Sequence, residues 1–153
     1  MPPVETSTPD LATLVRDWSP SLRRYLQHQT GDAHLADDLL QETLLKVAHG
    51  LADFGGRSSL KTWLYAIASN TVADHLRRTL RDREFVDLAA AADLSNGEAP
   101  VEDRLEFDAM NHCVREVIDG LSPVDRAAIL LHDIEGLDCV QTAEALGVSS
   151  GAA

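Results

Sequence analysis

Between residues 33 and 78 apolar side chains recur at steps of three and four, with one break of small residues, and that spacing restricts the chain to packed helices. Leu35, Leu39, Leu40, Leu44 and Val47 make one apolar stripe. The segment from Gly50 to Gly56 interrupts it as a loop, with Phe54 expected to tuck beneath. Leu60, Trp63, Leu64, Ile67 and Leu76 then make a second stripe, on a helix that Ser58 or Ser59 can cap and that runs to about Arg83. Upstream, Leu11, Leu14, Val15, Trp18, Leu22, Tyr25 and Leu26 follow the same spacing. Pro20 is predicted to kink or divide that helix, because it lacks an N–H and crowds the preceding turn. Gly31 ends it, and Asp32 can cap the next. No stretch alternates like a strand for long enough to matter, and aromatic residues make up only 5% of the chain. The expected fold class is all-α, with an aliphatic core.

Downstream the character changes. The run VDLAAAADLSNGEAP is small and acidic and reads as a linker. Helical spacing resumes near Glu102 with Leu105, Met110, Val114, Val117 and Ile118, and Gly120 ends it. Ser122-Pro123-Val124-Asp125 is a helix start: a cap, a proline in the first turn and an acid beside the positive end of the dipole. Its expected core residues are Ala128, Ile129, Leu131 and Ile134, with His132 facing solvent and Gly136 closing the helix. Asp138 can cap a short helix with Val140, Ala143 and Leu146 inward and Gln141 and Glu144 outward. Gly147 supplies a tight turn, Val148 a plug and Ser149 the next cap, which is the order of a helix-turn-helix. An ordinary helical hairpin would satisfy the same short pattern. The organisation expected is two small helical domains, residues 1–84 and 104–153, joined by a flexible acidic linker over 85–103.

The formal net charge is −12, and its distribution matters more than its sum. Residues 1–56 carry −4, residues 57–84 carry +3 and residues 85–153 carry −11. One basic segment, the Trp63 helix, thus lies between acidic ones. Its Arg77, Arg78, Arg81 and Arg83 could simply solvate a helix end and favour its dipole. The longest apolar run, Trp63 to Ala68, is too short to span a bilayer, and the first ten residues lack the basic and apolar parts of a signal peptide. No membrane insertion and a cytoplasmic location are expected, in keeping with two scattered cysteines. His112, Cys113, His132 and Cys139 match no compact zinc spacing, and no nucleophile–base pair or phosphate-binding glycine loop appears. Neither cofactor, metal nor catalysis is expected.

Two blocks carry a family resemblance. The first is Ala36-Asp37-Asp38-Leu39-Leu40-Gln41-Glu42-Thr43, followed by Leu60-Lys61-Thr62-Trp63-Leu64-Tyr65-Ala66-Ile67-Ala68-Ser69-Asn70 and Asp74-His75-Leu76-Arg77-Arg78. The second runs from Leu121-Ser122-Pro123 through Glu135-Gly136-Leu137 to Ala143-Glu144-Ala145-Leu146-Gly147-Val148-Ser149. In this order, with a short connection, they resemble bacterial sigma factors of the extracytoplasmic-function group. The resemblance implies that the chain binds core RNA polymerase, directs it to promoter DNA and helps open the duplex, and that an anti-sigma factor holds it in check.

It also assigns residues. Asp37, Asp38, Gln41 and Glu42 share one side of a helix that would dock on the polymerase clamp helices, where acids and an amide can meet arginines. The minus-ten element would fall to the basic helix and the loop before it. Asn70 can donate to and accept from a base edge. Lys61, Arg77 and Arg78 can hold phosphates, with Asp74 and His75 beside them in the same motif. Trp63 can stack a base, although its register with Leu60, Leu64 and Ile67 favours a place in the core. Arg57 and Ser58, with Phe54 and Gly55, would border the pocket. Ser149 and Ser150 would open the helix that reads the minus-thirty-five element, but the chain stops at Ala153, short of that helix's basic residues, as in a truncation. Two alternatives remain open: a helix-turn-helix regulator that binds duplex DNA without polymerase, and a helical module that only titrates an anti-sigma factor.

Overall fold

The computed structural model describes residues 9–86 and 112–148, and every regular element among them is helical. Three long helices come first: α1 (Leu11–Thr30), α2 (Ala33–Gly50) and, after a 3₁₀ turn at Leu51–Asp53, α3 (Leu60–Val86). Helix α4 (His112–Asp119), helix α5 (Pro123–Ile129) with a π-helical segment at Leu130–Ile134, and α6 (Cys139–Leu146) follow. The expected linker over 85–103 falls mostly outside the described residues, as do Leu105, Met110 and Ser149.

The boundaries follow local chemistry. Gly31 takes the left-handed conformation at φ 70° that ends α1, and the Asp32 carboxylate accepts from the His34 and Leu35 amides to start α2. Ser59 starts α3, its hydroxyl accepting from the Thr62 amide at 3.1 Å. Ser122 caps α5, and Asp138 with Gln141 forms a capping box on α6. Pro20, expected to kink or divide α1, does not divide it: it lies inside one continuous helix. Proline removes a single backbone bond there, its ring is exposed, and Leu14 and Leu22 on either side are buried.

Helix α1 packs on α2 and α3, and α2 on α3, around Leu14, Leu22, Tyr25, Leu26, Ala36, Leu39, Val47, Leu64, Tyr65, Ala68 and Val72. The buried row of α2 is Ala36, Leu39, Thr43 and Val47 rather than the leucine stripe, whose Leu35, Leu40 and Leu44 are half-buried. Thr43 and Thr71 can be fully buried because each hydroxyl donates to the carbonyl one turn back, Leu39 at 2.7 Å and Ile67 at 2.8 Å. Leu76, assigned to the apolar face of α3, is exposed.

The C-terminal helices pack against α1 and α3, through α5 and α6. Leu130, Leu131, Leu137 and Ala145 join the same hydrophobic cluster, and α6 lies along α3. The π segment shifts the inward face of α5: Ala127, Leu130 and Leu131 are buried, Ala128 and Ile129 only partly, and Ile134 is exposed. An extra residue in a helical turn rotates all that follows, so a pattern read at 3.6 residues per turn slips there. For α4 and α6, Ile118, Thr142, Ala143 and Ala145 turn inward, while Val117 is exposed, as is Val140, which was expected inside.

Candidate functional site

The acidic face of α2 divides into two kinds of residue. Asp37 accepts from Arg23 Nε of α1 at 2.6 Å, and the hydrogen bond and charge of that guanidinium hold its carboxyl below the usual range. Burial alone would raise the Glu42 carboxyl, but bonds from Arg78 and Lys46 outweigh it and hold Glu42 low as well. Asp38 and Gln41 are exposed one turn apart. Leu45, one turn further along the same face, is 62% exposed, although its spacing alone does not set it apart from the buried leucines.

Lys46 links α2 to α3, its ammonium lying 3.2 Å from the Thr71 hydroxyl and 3.3 Å from Asp74 Oδ2. Asp74 also accepts from Arg77 at 2.9 Å, and Arg78 reaches both oxygens of Glu42. Arg77 and Arg78 therefore lie on the surface but neighbour carboxylates of their own chain. His75 is half-buried, with Thr79 against its ring at 3.4 Å. Asn70 is exposed on α3, four residues from Asp74.

Trp63 sits at the edge of this surface. It packs against the core, and its ring meets Phe54 at 4.8 Å between centroids. A Cβ on Gly50 would come within 3.2 Å of the Trp63 ring, so the small residue that ends α2 leaves space for the indole. Phe54 thus fixes the loop against α3, as expected for a residue tucked beneath it. Arg57 is exposed in that loop, and Ser58 donates weakly to the Ser59 carbonyl at 3.3 Å.

Lys61 is placed differently from its expected neighbours. Its ammonium donates to the backbone carbonyl of Glu135, and Tyr65 donates to the Glu135 carboxylate at 2.5 Å. Burial, together with that bond and charge, drives the Tyr65 hydroxyl well above its ordinary range, so it stays protonated and donating. Tyr65 also stands edge-on to Tyr25, with centroids 5.3 Å apart, and Tyr25 pairs with the Ser69 hydroxyl at 2.7 Å. Arg126 adds a second tie, donating to the Gln29 carbonyl at 3.0 Å. Neither Glu135 nor Arg126 was among the sequence candidates. The one available signal was that Arg126 is a rare cation in an acidic half of the chain.

On the other flank an open cleft is lined by Ala128, Ile129, His132, Asp133, Cys139 and Thr142. Ser149 and Ser150 lie outside the described residues.

Two family profiles match the chain: Sigma-70 region 2 over residues 14–82, and Sigma-70, region 4 over residues 111–153. RNA polymerase sigma factor YlaC of Bacillus subtilis is 30% identical over 138 residues, covering 89% of this chain and 79% of YlaC. ECF RNA polymerase sigma factor SigE of Mycolicibacterium smegmatis is 30% identical over 152 residues, and the chain spans 96% of itself but 57% of SigE. Among solved structures, the sigma factor RpoE in complex with the anti-sigma factor NepR from Bartonella quintana superposes with a TM-score of 0.71 at 24% identity, covering 94% of this chain and 86% of that one. CnrH in complex with the cytosolic domain of CnrY gives 0.61 at 22% identity, covering 93% and 76%. At these identities the two structures speak for the fold.

Proposed function

This chain belongs to the extracytoplasmic-function group of RNA polymerase sigma factors, and we propose that it docks on core RNA polymerase through α2 and presents the loop 54–59 and α3 to the minus-ten promoter element. The observation that carries the reading is the separation of the two faces. On α2, Asp38 and Gln41 stand exposed beside Leu45, an amphipathic strip suited to a basic helical partner. On α3, Asn70, Arg77 and Arg78 stand exposed along a net positive segment, suited to a displaced strand.

In this reading Asn70 takes an unstacked base by its edge, and Lys61, Arg77 and Arg78 neutralise phosphates. Trp63 orders the loop from beneath and stacks no base. Asp74 and His75 position the arginines and the helix surface around them. The domains act as 1–84 on polymerase and minus-ten DNA and 104–153 on upstream DNA, across the 85–103 linker, with Ser149 and Ser150 at the start of the upstream reader. An anti-sigma factor restrains the chain, as NepR accompanies its sigma factor. The chain itself makes or breaks no covalent bond, and it works in the cytoplasm, where its polymerase is; no described helix is long and apolar enough to cross a membrane.

The test is fork-junction DNA with a single-stranded minus-ten element, added to core polymerase with and without this chain. Retention of the fork only when the chain is present supports the reading. Equal retention of a fully duplex fragment by the chain alone contradicts it.

A further inference from the structure

We propose that Glu135 is an intramolecular latch that holds the C-terminal helices on α3 and withholds Lys61 from DNA. The proposal rests on the assignment of Lys61 to the minus-ten strand.

The latch is built by local geometry. In the π segment the Glu135 amide closes onto the Leu130 carbonyl at 3.0 Å, and Gly136 follows in the left-handed conformation at φ 73°. The helix therefore stops where the Glu135 carbonyl and carboxylate both face α3. The carbonyl takes Lys61 and the carboxylate takes Tyr65, one turn apart on the same helix. Both bonds involve a charged group and are partly buried, the setting in which such bonds are strongest. Arg126 grips α1 through the Gln29 carbonyl, so the docked unit is tied at two separate points. Leu130, Leu131, Leu137 and Ala145 close the apolar seam between them.

The consequence is competition. A Lys61 ammonium on the Glu135 carbonyl has lost donors and freedom that a phosphate would need. The Glu135 carboxylate beside it also repels a phosphate backbone. A nucleic acid strand that claims Lys61 favours the undocked state, and any change that weakens docking raises the fraction of chains ready to bind.

The experiment uses the full chain with one dye on the exposed Cys139 and one on Asp53→Cys, in a Cys113→Ser background, and reads energy transfer and binding of a single-stranded minus-ten oligonucleotide together. Tyr65→Phe keeps the ring in the core and removes the donor, and Glu135→Gln keeps the shape and removes the charge. Both are expected to lower transfer and to tighten oligonucleotide binding by about tenfold. The oligonucleotide is expected to lower transfer in the unsubstituted chain. Transfer that stays high in both folded variants overturns the latch. Oligonucleotide binding at unchanged transfer overturns the competition. A variant with lowered transfer that still ignores the oligonucleotide upholds the latch and refutes the minus-ten assignment on which the competition rests.

Discussion

Arg78 Nη2 of α3 lies 3.3 and 3.2 Å from the two carboxylate oxygens of Glu42 on α2, so an ion pair ties the helix assigned to polymerase to the helix assigned to DNA. Lys46 and Asp74 extend the tie into a short chain of alternating charge. Exposed pairs of this kind contribute little to stability one at a time. Their larger effect is to fix the angle at which the two faces are presented.

The tie makes the fold sensitive to acid. Glu42 and Asp37 are held below their ordinary values of 4.5 and 3.8. Above those values both are ionised folded or unfolded, and the stabilisation is fully present. As the pH falls through them the unfolded chain takes up protons first, and the stabilisation is lost until the lower folded values are passed. Urea midpoints measured on a descending pH series should therefore drop below about pH 4.5. A Glu42→Gln, Asp37→Asn double variant should show a shallower drop. An equally steep drop would place the acid sensitivity in other carboxylates.

Asn70 supplies the second prediction. Its side chain is exposed, so Asn70→Ala should leave the unfolding free energy from urea titration within about 0.5 kcal/mol of the parent. Affinity of the polymerase-bound chain for a single-stranded minus-ten oligonucleotide should fall by about tenfold, the scale of one lost bidentate base contact. Fluorescence anisotropy with the labelled oligonucleotide reads this directly, and the affinity for core polymerase should not move.

A third prediction concerns the Tyr25 hydroxyl, which is buried between Ser69 and Gln29 at 2.7 and 3.2 Å. Tyr25→Phe keeps the ring against Tyr65 but strands both polar partners, at a cost of about 1–3 kcal/mol. Equilibrium urea unfolding should show the loss as a lower midpoint at unchanged slope.

Much of this architecture was legible from residue order. The extent of α2, the start of α3, and the caps at Asp32, Ser122 and Asp138 follow from periodicity and capping chemistry alone, whereas the unbroken run of α1 through Pro20 does not. The core faces were less legible. Thr43 and Thr71 read as polar but are buried, since each satisfies its hydroxyl on its own helix. The π segment at Leu130–Ile134 leaves no mark in the apolar pattern and moved the expected core from Ile129 and Ile134 to Leu130. At the site, spacing along α2 grouped four polar residues on one side. It could not show that Asp37 and Glu42 meet Arg23 and Arg78, because those partners lie on other helices. Glu135 was invisible for the same reason: its partners are 74 and 70 residues away in the chain.

Docking of α2 on polymerase through its exposed strip is tested by titrating purified core RNA polymerase with this chain and with its Asp38→Arg variant. Saturable binding by the parent chain is expected, with a loss of about tenfold or more in the variant and both equally folded by circular dichroism. Equal affinity of the two chains, or no binding by the folded parent, would contradict it.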